Sequence, residues 1–333
     1  MDRMDFTQAV ARLRVLETRL LNKAKIERMI DSVSAEEALK VLQESEYSAF
    51  MSNVKHAEDY EILLKEELKR VYALMYEVSP HRQIIDIMSL KYDYHNLKVL
   101  LKGKALNKEL YYLLMPVGTE SVEKLKLYMT TGEFKELTPL MREALMKAEK
   151  AYHEENDPQK IDIILDLYMY KDMLSRAIAT KYDFIVNYVK QNIDFINIKT
   201  FIRLKKQEKN VKFLKEVLIE GGNIPQEVFI KSFDDSLDNF INKLSPYNYS
   251  DMLRKSLEDF DKDGKLNILE KLSEDYVMEK AKKAKYITFG PEPLFAYMIA
   301  KETEIKIIRI IMVGKVNKIS PERIRERLRD IYV

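Results

Sequence analysis

The sequence contains no cysteine among its 333 residues, which excludes disulfide bonds, thiolate metal sites and thiol nucleophiles. Glycine and proline are also scarce, with 8 and 9 residues, where average usage would give about 7% and 5% of a chain. Because turn residues are few while Leu, Ile, Lys, Glu and Met are abundant, we predict long helices joined by short connections. The composition therefore indicates an all-α protein.

The chain has neither an excess of one charge nor a long apolar run. Its 56 basic and 54 acidic residues give a formal net charge of +2, whereas a dedicated nucleic-acid binder usually carries a strong basic excess. The longest apolar runs, such as 110–115 and 310–313, are far shorter than the ~20 residues that cross a membrane. The amino-terminal stretch MDRMDFTQAV is charged and lacks the apolar segment of a secretory signal. We expect a cytoplasmic protein that reaches a membrane only through a partner, and no nucleic-acid partner.

Catalytic motifs are also missing from the sequence. No phosphate-binding loop, GxGxxG or GxSxG string occurs, and eight glycines leave little room for a phosphate cradle. The four histidines are scattered without ligand spacing: His56, His81, His95 and His153. We therefore predict no catalytic residue, no cofactor and no small-molecule substrate.

Two acidic stretches match metal-binding patterns. The string DFDKDGKLNILE at 259–270 fits a calcium loop, with acids at positions 1, 3 and 5, glycine at 6 and glutamate at 12. Calcium loops usually occur in pairs, so the simpler interpretation is a capped connection between two helices. The string DDSLD at 234–238 has the spacing that terpenoid and prenyl-diphosphate synthases use for magnesium, but no second acidic cluster accompanies it. We predict no metal site, and calcium binding by 259–270 stays an open alternative.

Local signals place several helices. A helix is predicted from Thr7 to about Ile30, with an apolar face and a ring of charged residues. Ser34, with Glu37 three residues later, predicts a capping box. Ser320, followed by proline, predicts the start of a final helix that continues to Tyr332.

A short helical signature appears three times and organises the whole sequence. Its copies are DYHNLKVLLKGK at 93–104, DFINIKTFIRLKK at 194–206 and the looser KETEIKIIRIIMVGK at 301–315. Equivalent positions in the three copies are Asn96, Asn197 and Glu304, which are 101 and then 107 residues apart. Self-similarity at a nearly fixed period is typical of repeated structural units. We therefore predict three helical subdomains, at 1–106, 107–210 and 211–333, with approximate threefold character.

Each signature combines an apolar helix face with a lysine at its edge. Leu97, Leu100 and Leu101 have the i, i+3, i+4 spacing of a buried face, and the other copies repeat it closely. The residue after the first apolar position is a lysine in every copy: Lys98, Lys199 and Lys306. A lysine at this edge can bury its stem and keep its ammonium group in water. The simpler interpretation is three core helices with solvated rims, and the alternative is a set of charges that lines a shared surface.

The order of these motifs resembles a known family. The segment EPLFAYMIAKETEIKIIRIIMVGKVNKISPERIRERLRDIY at 292–332 is similar to the carboxyl end of the C subunit of prokaryotic V-type and archaeal A-type ATPases, relatives of the eukaryotic d subunits. The segment AVARLRVLETRLL at 9–21 resembles the family's Arg-x-Arg-x-x-Glu opening, with Arg12, Arg14 and Glu17 in place. The two internal signatures fit the same pattern, so the resemblance covers essentially the whole chain.

The resemblance implies a non-catalytic, funnel-shaped rotor subunit of three similar helical subdomains. Such a protein lies on the cytoplasmic face of the membrane proteolipid ring, receives the central stalk and transmits torque between ATP chemistry and proton or sodium transport. By resemblance we predict partner contacts at six basic residues: Arg12, Arg14, Lys98, Lys199, Lys306 and Arg309. The alternative from the residues alone is a soluble helical scaffold that binds a helical partner.

Overall fold

The computed structural model describes residues 2–263 and 266–333, with side chains 258–263 left out, and these residues form helices and no strand. The described residues contain sixteen α-helices: α1 (Thr7–Glu17), α2 (Lys23–Asp31), α3 (Ala35–Val41), α4 (Tyr60–Val78), α5 (Arg82–Leu106), α6 (Val122–Thr131), α7 (Pro139–Glu155), α8 (Pro158–Thr180), α9 (Asp183–Lys206), α10 (Val211–Val217), α11 (Gln226–Lys231), α12 (Leu237–Lys243), α13 (Ser250–Asp263), α14 (Asn267–Lys282), α15 (Glu292–Val316) and α16 (Pro321–Arg327). Short 3₁₀ helices occupy Arg3–Phe6, Leu42–Glu44, Glu46–Asn53, Ala57–Asp59, Tyr111–Leu113, Ser245–Tyr247 and Lys283–Tyr286. The predicted all-α class is confirmed.

The chain packs into two compact units, which we call unit 1 and unit 2. Unit 1 joins the two ends of the sequence, Met1–Ile85 and Ser256–Val333, whereas unit 2 is the continuous segment Asp86–Lys255. Unit 2 contains the first two signature helices, and unit 1 contains the third. The predicted boundaries of the subdomains 1–106, 107–210 and 211–333, and their threefold arrangement, stay predictions.

Unit 1 is built around helix α15. Its first half, Leu294–Ala300, is buried on every side, as expected for a helix that is apolar all round. Helices α1, α2, α3, α4, α14 and α16 all pack against α15. The third signature therefore lies at the centre of unit 1, enclosed by segments from both ends of the sequence.

Unit 2 is built around the long helices α5, α8 and α9, with α7 packed on α8. An aromatic cluster fixes the carboxyl-terminal half of α9, where Phe201 stacks on Phe240 with ring centroids 4.0 Å apart. Phe229 and Phe233 tilt against the same Phe201 ring. Fully buried aromatic residues supply a large apolar area, so this cluster anchors α11 and α12 to the second signature helix.

Two local helix predictions need correction. The helix predicted from Thr7 to about Ile30 is broken: α1 ends at Glu17, and Asn22 caps the amino terminus of α2. The final helix ends at Arg327 and does not continue to Tyr332, whose ring is instead buried against α1. Ser34 caps α3 as predicted, accepting a hydrogen bond from the Glu37 amide. Both errors arise where a long-range hydrogen bond holds the chain in a non-helical form.

Among the described helices, none is both long and apolar enough to cross a membrane.

Candidate functional site

The polar core of the first signature is an aspartate and an asparagine on one face of α5. Asp93 is fully buried and accepts hydrogen bonds from the Thr119 amide (2.9 Å), the Thr119 hydroxyl (2.7 Å) and the Glu120 amide (3.0 Å). Asn96 donates to the Met115 carbonyl (2.8 Å) and accepts from the Met115 amide (2.8 Å). One side of the helix thus binds the backbone of the loop that precedes α6.

The second signature repeats this arrangement on α9. Asp194 accepts hydrogen bonds from the Ile224 amide (2.9 Å) and the Tyr249 hydroxyl (2.9 Å), and also from a neighbouring asparagine side chain. Asn197 donates to the Ile219 carbonyl (2.8 Å) and accepts from the Ile219 amide (2.9 Å). We call each of these arrangements an Asp–Asn clamp: Asp93 with Asn96, and Asp194 with Asn197.

A glycine closes each clamp against its aspartate. A Cβ atom on Gly118 would lie 2.1 Å from Asp93 Oδ1, and one on Gly222 would lie 2.3 Å from Asp194 Oδ1. Real Cβ atoms essentially never approach an oxygen so closely, so both positions require the absence of a side chain. Both loops therefore require glycine at the position that contacts the aspartate of the clamp.

Burial and hydrogen bonding act in opposite directions on the clamp carboxyls. Burial raises the pKa of Asp93 to about 6, although the hydrogen bonds from Glu120 and Thr119 lower it. Burial also raises the pKa of Asp194, against hydrogen bonds from Ile224, Asn223 and Tyr249. In both clamps the groups that donate hydrogen bonds to the carboxyl belong to the chain itself, and these hydrogen bonds hold a loop against the signature helix.

The third signature uses a different set of charges at the same positions. Lys301 stands where the other copies have aspartate, and Glu304 stands where they have asparagine. Glu304 accepts a hydrogen bond from the Leu21 amide (2.6 Å), much as Asn96 and Asn197 accept from the amides that they bind. In each copy the bound amide lies shortly before the amino terminus of a helix, which here is α2. The third copy therefore binds a segment from the beginning of the sequence.

Four charged residues, the Lys301 cluster, form the buried centre of unit 1. Lys301 Nζ lies 2.8 Å from Glu67 Oε1 and 2.8 Å from Glu304 Oε1, with the Lys301 side chain only 1% exposed. Arg70 donates to both carboxylate oxygens of Glu67, at 2.7 and 2.9 Å. Burial disfavours the charged form of Lys301, but Glu304 and Glu67 outweigh it and raise its pKa. Each charge of the cluster thus has an opposite charge beside it, as a buried ionic group requires, and Arg70 also pairs with Glu46 at 3.3 Å.

A second long-range contact joins the ends of unit 1. The Tyr332 hydroxyl donates to Glu17 Oε1 at 2.9 Å, and both residues are nearly enclosed. Arg14 pairs with the same Glu17 and also donates to the backbone carbonyls of Ala284 and Ile287. Arg14 and Glu17, predicted from the family opening, therefore bind the segments on either side of α15.

Most of the six predicted partner-binding residues are engaged within the chain. Five form ion pairs with acidic side chains: Arg12 with Glu77, Arg14 with Glu17, Lys98 with Asp166, Lys306 with Glu274, and Arg309 with Glu61. Lys199 lies half-buried on α9. Arg12, Arg309 and Lys306 are the most open of these five, with side chains 51%, 43% and 42% exposed. The signature lysines occupy the edge of the buried face, as the sequence predicts.

The two acidic stretches that match metal-binding patterns are 234–238 and 259–270. In the 234–238 stretch, Asp235 pairs with Lys243 at 2.6 Å and Ser236 caps α12. For 259–270, helix α13 continues to Asp263, and the side chains 258–265 lie outside the described part of the structure. Within the residues whose side chains are described, no group of three or more histidine or acidic residues could hold a metal ion.

Together these features define an all-helical protein whose buried polar groups bind its own backbone. A family model described as "ATP synthase (C/AC39) subunit" matches residues 9–327. The chain belongs to this family, whose members are non-catalytic subunits of V- and A-type ATPases, and the predicted family and non-catalytic character are confirmed.

Known relatives match along the full length. The chain is 28% identical to the C subunit of the V-type sodium ATPase of Enterococcus hirae over 329 residues, covering 99% of both chains. It is 26% identical to the C subunit of the A-type ATP synthase of Methanocaldococcus jannaschii, covering 96% of this chain and 84% of that one. It is 25% identical to the C subunit of the A-type ATP synthase of a Desulfurococcus species, covering 95% and 88%.

Proposed function

We propose that this protein is the rotor socket of a V/A-type ATPase, set between the central stalk and the membrane proteolipid ring. In this role it transmits torque that couples ATP hydrolysis or synthesis to ion transport. The observation that carries the proposal is the match to the C-subunit family over residues 9–327, with relatives covered almost end to end. Its partners are then the stalk subunits and the proteolipid, and its location is the cytoplasmic side of the membrane, held there peripherally.

The internal construction suits a part that transmits torque. A torque-bearing body must not deform under load, and close-packed helices provide such stiffness. Loops are ordinarily the soft parts of a helical protein. Here the loops at 115–120 and 219–224 are bound to core helices by the Asp–Asn clamps, and Leu21 is bound by Glu304. Each such bond to a carboxylate contributes about 1.5–3 kcal/mol.

Among the predicted contact residues, Arg12 and Arg309 are the best placed for partner binding. Their side chains are about half exposed, and exposed ion pairs are worth only about 0–1 kcal/mol. A partner carboxylate can therefore replace Glu77 or Glu61 at small cost. Arg14, Lys98 and Lys199 are retained in the proposal as secondary positions. Lys306 is also secondary, because its partner Glu274 pairs with Arg329 as well.

The test is recovery of partners with the tagged full chain from detergent-solubilised membranes, identified by mass spectrometry. We expect the stalk subunits and the proteolipid to be recovered together. The variant Arg12→Glu with Arg309→Glu should lower that recovery, whereas Lys124→Glu with Lys212→Glu, at exposed lysines of unit 2, should not.

Three outcomes bear on the proposal. A chain recovered alone would overturn the rotor function and favour a soluble scaffold. Recovery that does not change in the Arg12/Arg309 variant would keep the function and remove these two residues from the interface. Recovery of the stalk subunits without the proteolipid would overturn the contact with the ring.

A further inference from the structure

Unit 1 carries an open groove that no part of the described chain fills. It lies between α14, α15 and α16 and encloses about 1020 Å³. Its floor is apolar, made of Ile268, Leu272, Ile310, Val313, Ile319 and Ile324. Val313 is 40% exposed, although the two residues directly before it, Ile311 and Met312, are fully buried. A continuous apolar floor between helices is the form that binds the apolar face of another helix.

The rim of the groove has one dominant sign of charge. Its lining includes six cationic residues, Lys271, Lys306, Arg309, Arg323, Arg327 and Arg329, and Glu326 is the one acidic residue among the described lining. Glu274 pairs with both Lys306 and Arg329, and Glu61 pairs with Arg309.

Two rim cations, Arg323 and Arg327, are not neutralised in this way. Lys271 donates to the Glu326 carbonyl (3.4 Å) and attracts the Asp275 carboxylate on the same helix, whereas neither Arg323 nor Arg327 has a carboxylate within ion-pair distance in the described part of the chain. Both arginines are exposed and lie four residues apart on α16, hence on one face of that helix. Their guanidinium groups can therefore bind carboxylates that a partner presents along one edge of the groove.

We propose that this groove binds an acidic amphipathic helix of a partner protein. The section of α15 that lines it, from Lys306 to Gly314, rises about 12 Å, so two to three turns of a partner helix fit. Apolar residues at i, i+3 or i+4, and i+7 fill the floor, and flanking Glu or Asp residues meet Arg323 and Arg327. An anionic membrane is the less suitable occupant because a bilayer surface is broad and cannot enter a cleft whose apolar floor lies beneath its charged rim. This inference stands independently of the rotor function.

The experiment uses the full chain and a fluorescent synthetic peptide of about four helical turns, with Leu on one face and Glu on the other. Two matched peptides separate the contribution of charge from that of the apolar face. One has Lys in place of Glu, and the other has the same composition in scrambled order. Binding is measured by fluorescence anisotropy at two salt concentrations, since partly exposed charge pairs weaken as salt rises. Vesicles of phosphatidylglycerol and of phosphatidylcholine are tested in parallel by sedimentation.

We expect the acidic amphipathic peptide to bind at least ~10-fold more tightly than either matched peptide. Arg323→Glu with Arg327→Glu should weaken it by at least ~10-fold, and Val313→Asp should weaken it similarly. Lys212→Glu with Lys231→Glu, at exposed lysines of unit 2, should leave it unchanged. Arg323→Gln with Arg327→Gln provides a milder variant if the charge reversal disturbs folding, as judged by thermal melts.

The proposal is overturned if no peptide binds, if the scrambled peptide binds equally well, or if the arginine variants bind like the parent chain. It is also overturned if only phosphatidylglycerol vesicles bind and the arginine variants abolish that binding, because the groove rim would then be a lipid surface.

Discussion

Unit 1 and unit 2 solve the same structural problem with different chemistry. In unit 2, Asn96 and Asn197 bind loops only 19 and 22 residues further along the chain. In unit 1, Glu304 binds the amide of Leu21 across 283 residues, and it does so from within a cluster of buried charges. The buried carboxyls of unit 2, Asp93 and Asp194, are held by N–H and O–H donors, whereas the buried Glu304 of unit 1 also lies beside a buried cation, Lys301. The comparison teaches that a buried carboxyl can be stabilised either by several hydrogen-bond donors or by a paired ionic core.

The largest expected effect comes from removing the central cation. Lys301→Met leaves Glu67 and Glu304 buried with only Arg70 nearby, so the free energy of unfolding of unit 1 should fall by about 3–5 kcal/mol. Urea unfolding followed by circular dichroism, with hydrogen exchange of the α15 amides, measures this loss. Lys306→Met on the same helix breaks only a partly exposed pair and should cost less than about 1 kcal/mol. Equal losses in the two variants would contradict the view that the buried ion pairs of unit 1 are much stronger than the partly exposed pair on the same helix.

The next effect tests the glycine that closes a clamp. Gly118→Ala places a methyl group 2.1 Å from Asp93 Oδ1, which must break hydrogen bonds to that carboxyl and should cost about 3 kcal/mol. Gly132 is the matched control, since its φ of +74° strains alanine but its Cβ would meet no atom within 4 Å. Gly132→Ala should cost only about 1 kcal/mol. If thermal melts show that Gly132→Ala is the more destabilising variant, the close approach between Gly118 and Asp93 is not the reason for glycine at position 118.

The smallest effect compares the two clamps with each other. Asn197→Ala leaves the amide and carbonyl of Ile219 without partners in a buried position, so it should cost about 2 kcal/mol. Asn96→Ala exposes the same groups of Met115, which are only partly buried and can bind water, so about 1 kcal/mol is expected. Denaturant midpoints of the two variants, at unchanged slope, provide the measurement. An equal or reversed order would show that burial of the bound loop does not set the strength of the clamp.

The sequence predicts the helices that carry the clamps but not what they bind. The repeat correctly identifies Asn96, Asn197 and Glu304 as equivalent positions of the three signature helices, because local spacing is enough to identify a repeated helix. The lysines at the helix edge are weaker indicators of a partner site, since most of them form ion pairs within the chain. The missed signal is that Asp93 and Asp194 both lie three residues before an asparagine, on the face that carries the buried leucine and isoleucine residues. Polar residues repeated on an apolar face require partners, and this pattern indicates a buried hydrogen-bond site.

The partners themselves could not be predicted because they are distant in sequence. Glu304 and the Leu21 amide are 283 residues apart, and the local signal for a break within Thr18–Asn22 is a single residue, Asn22, of a type that favours the helix N-cap. Helix propensity in that segment is sufficient for a continuous helix, so tertiary contacts override it. The same reason explains why Tyr332 leaves the final helix to reach Glu17.

The closure of unit 1 by both ends of the sequence has a consequence for biosynthesis. A nascent chain that has been synthesised as far as Lys255 already contains every residue of unit 2, whereas it lacks the Ser256–Val333 part of unit 1. The hydrogen bonds and ion pair that link Leu21, Tyr47 and Glu67 to Lys301 and Glu304 can therefore form only after residues 301–304 have been synthesised. Domains generally fold as units when their residues have emerged. Unit 2 is thus able to fold first, and prematurely terminated chains leave the amino-terminal helices without their core, exposed to chaperones and proteases.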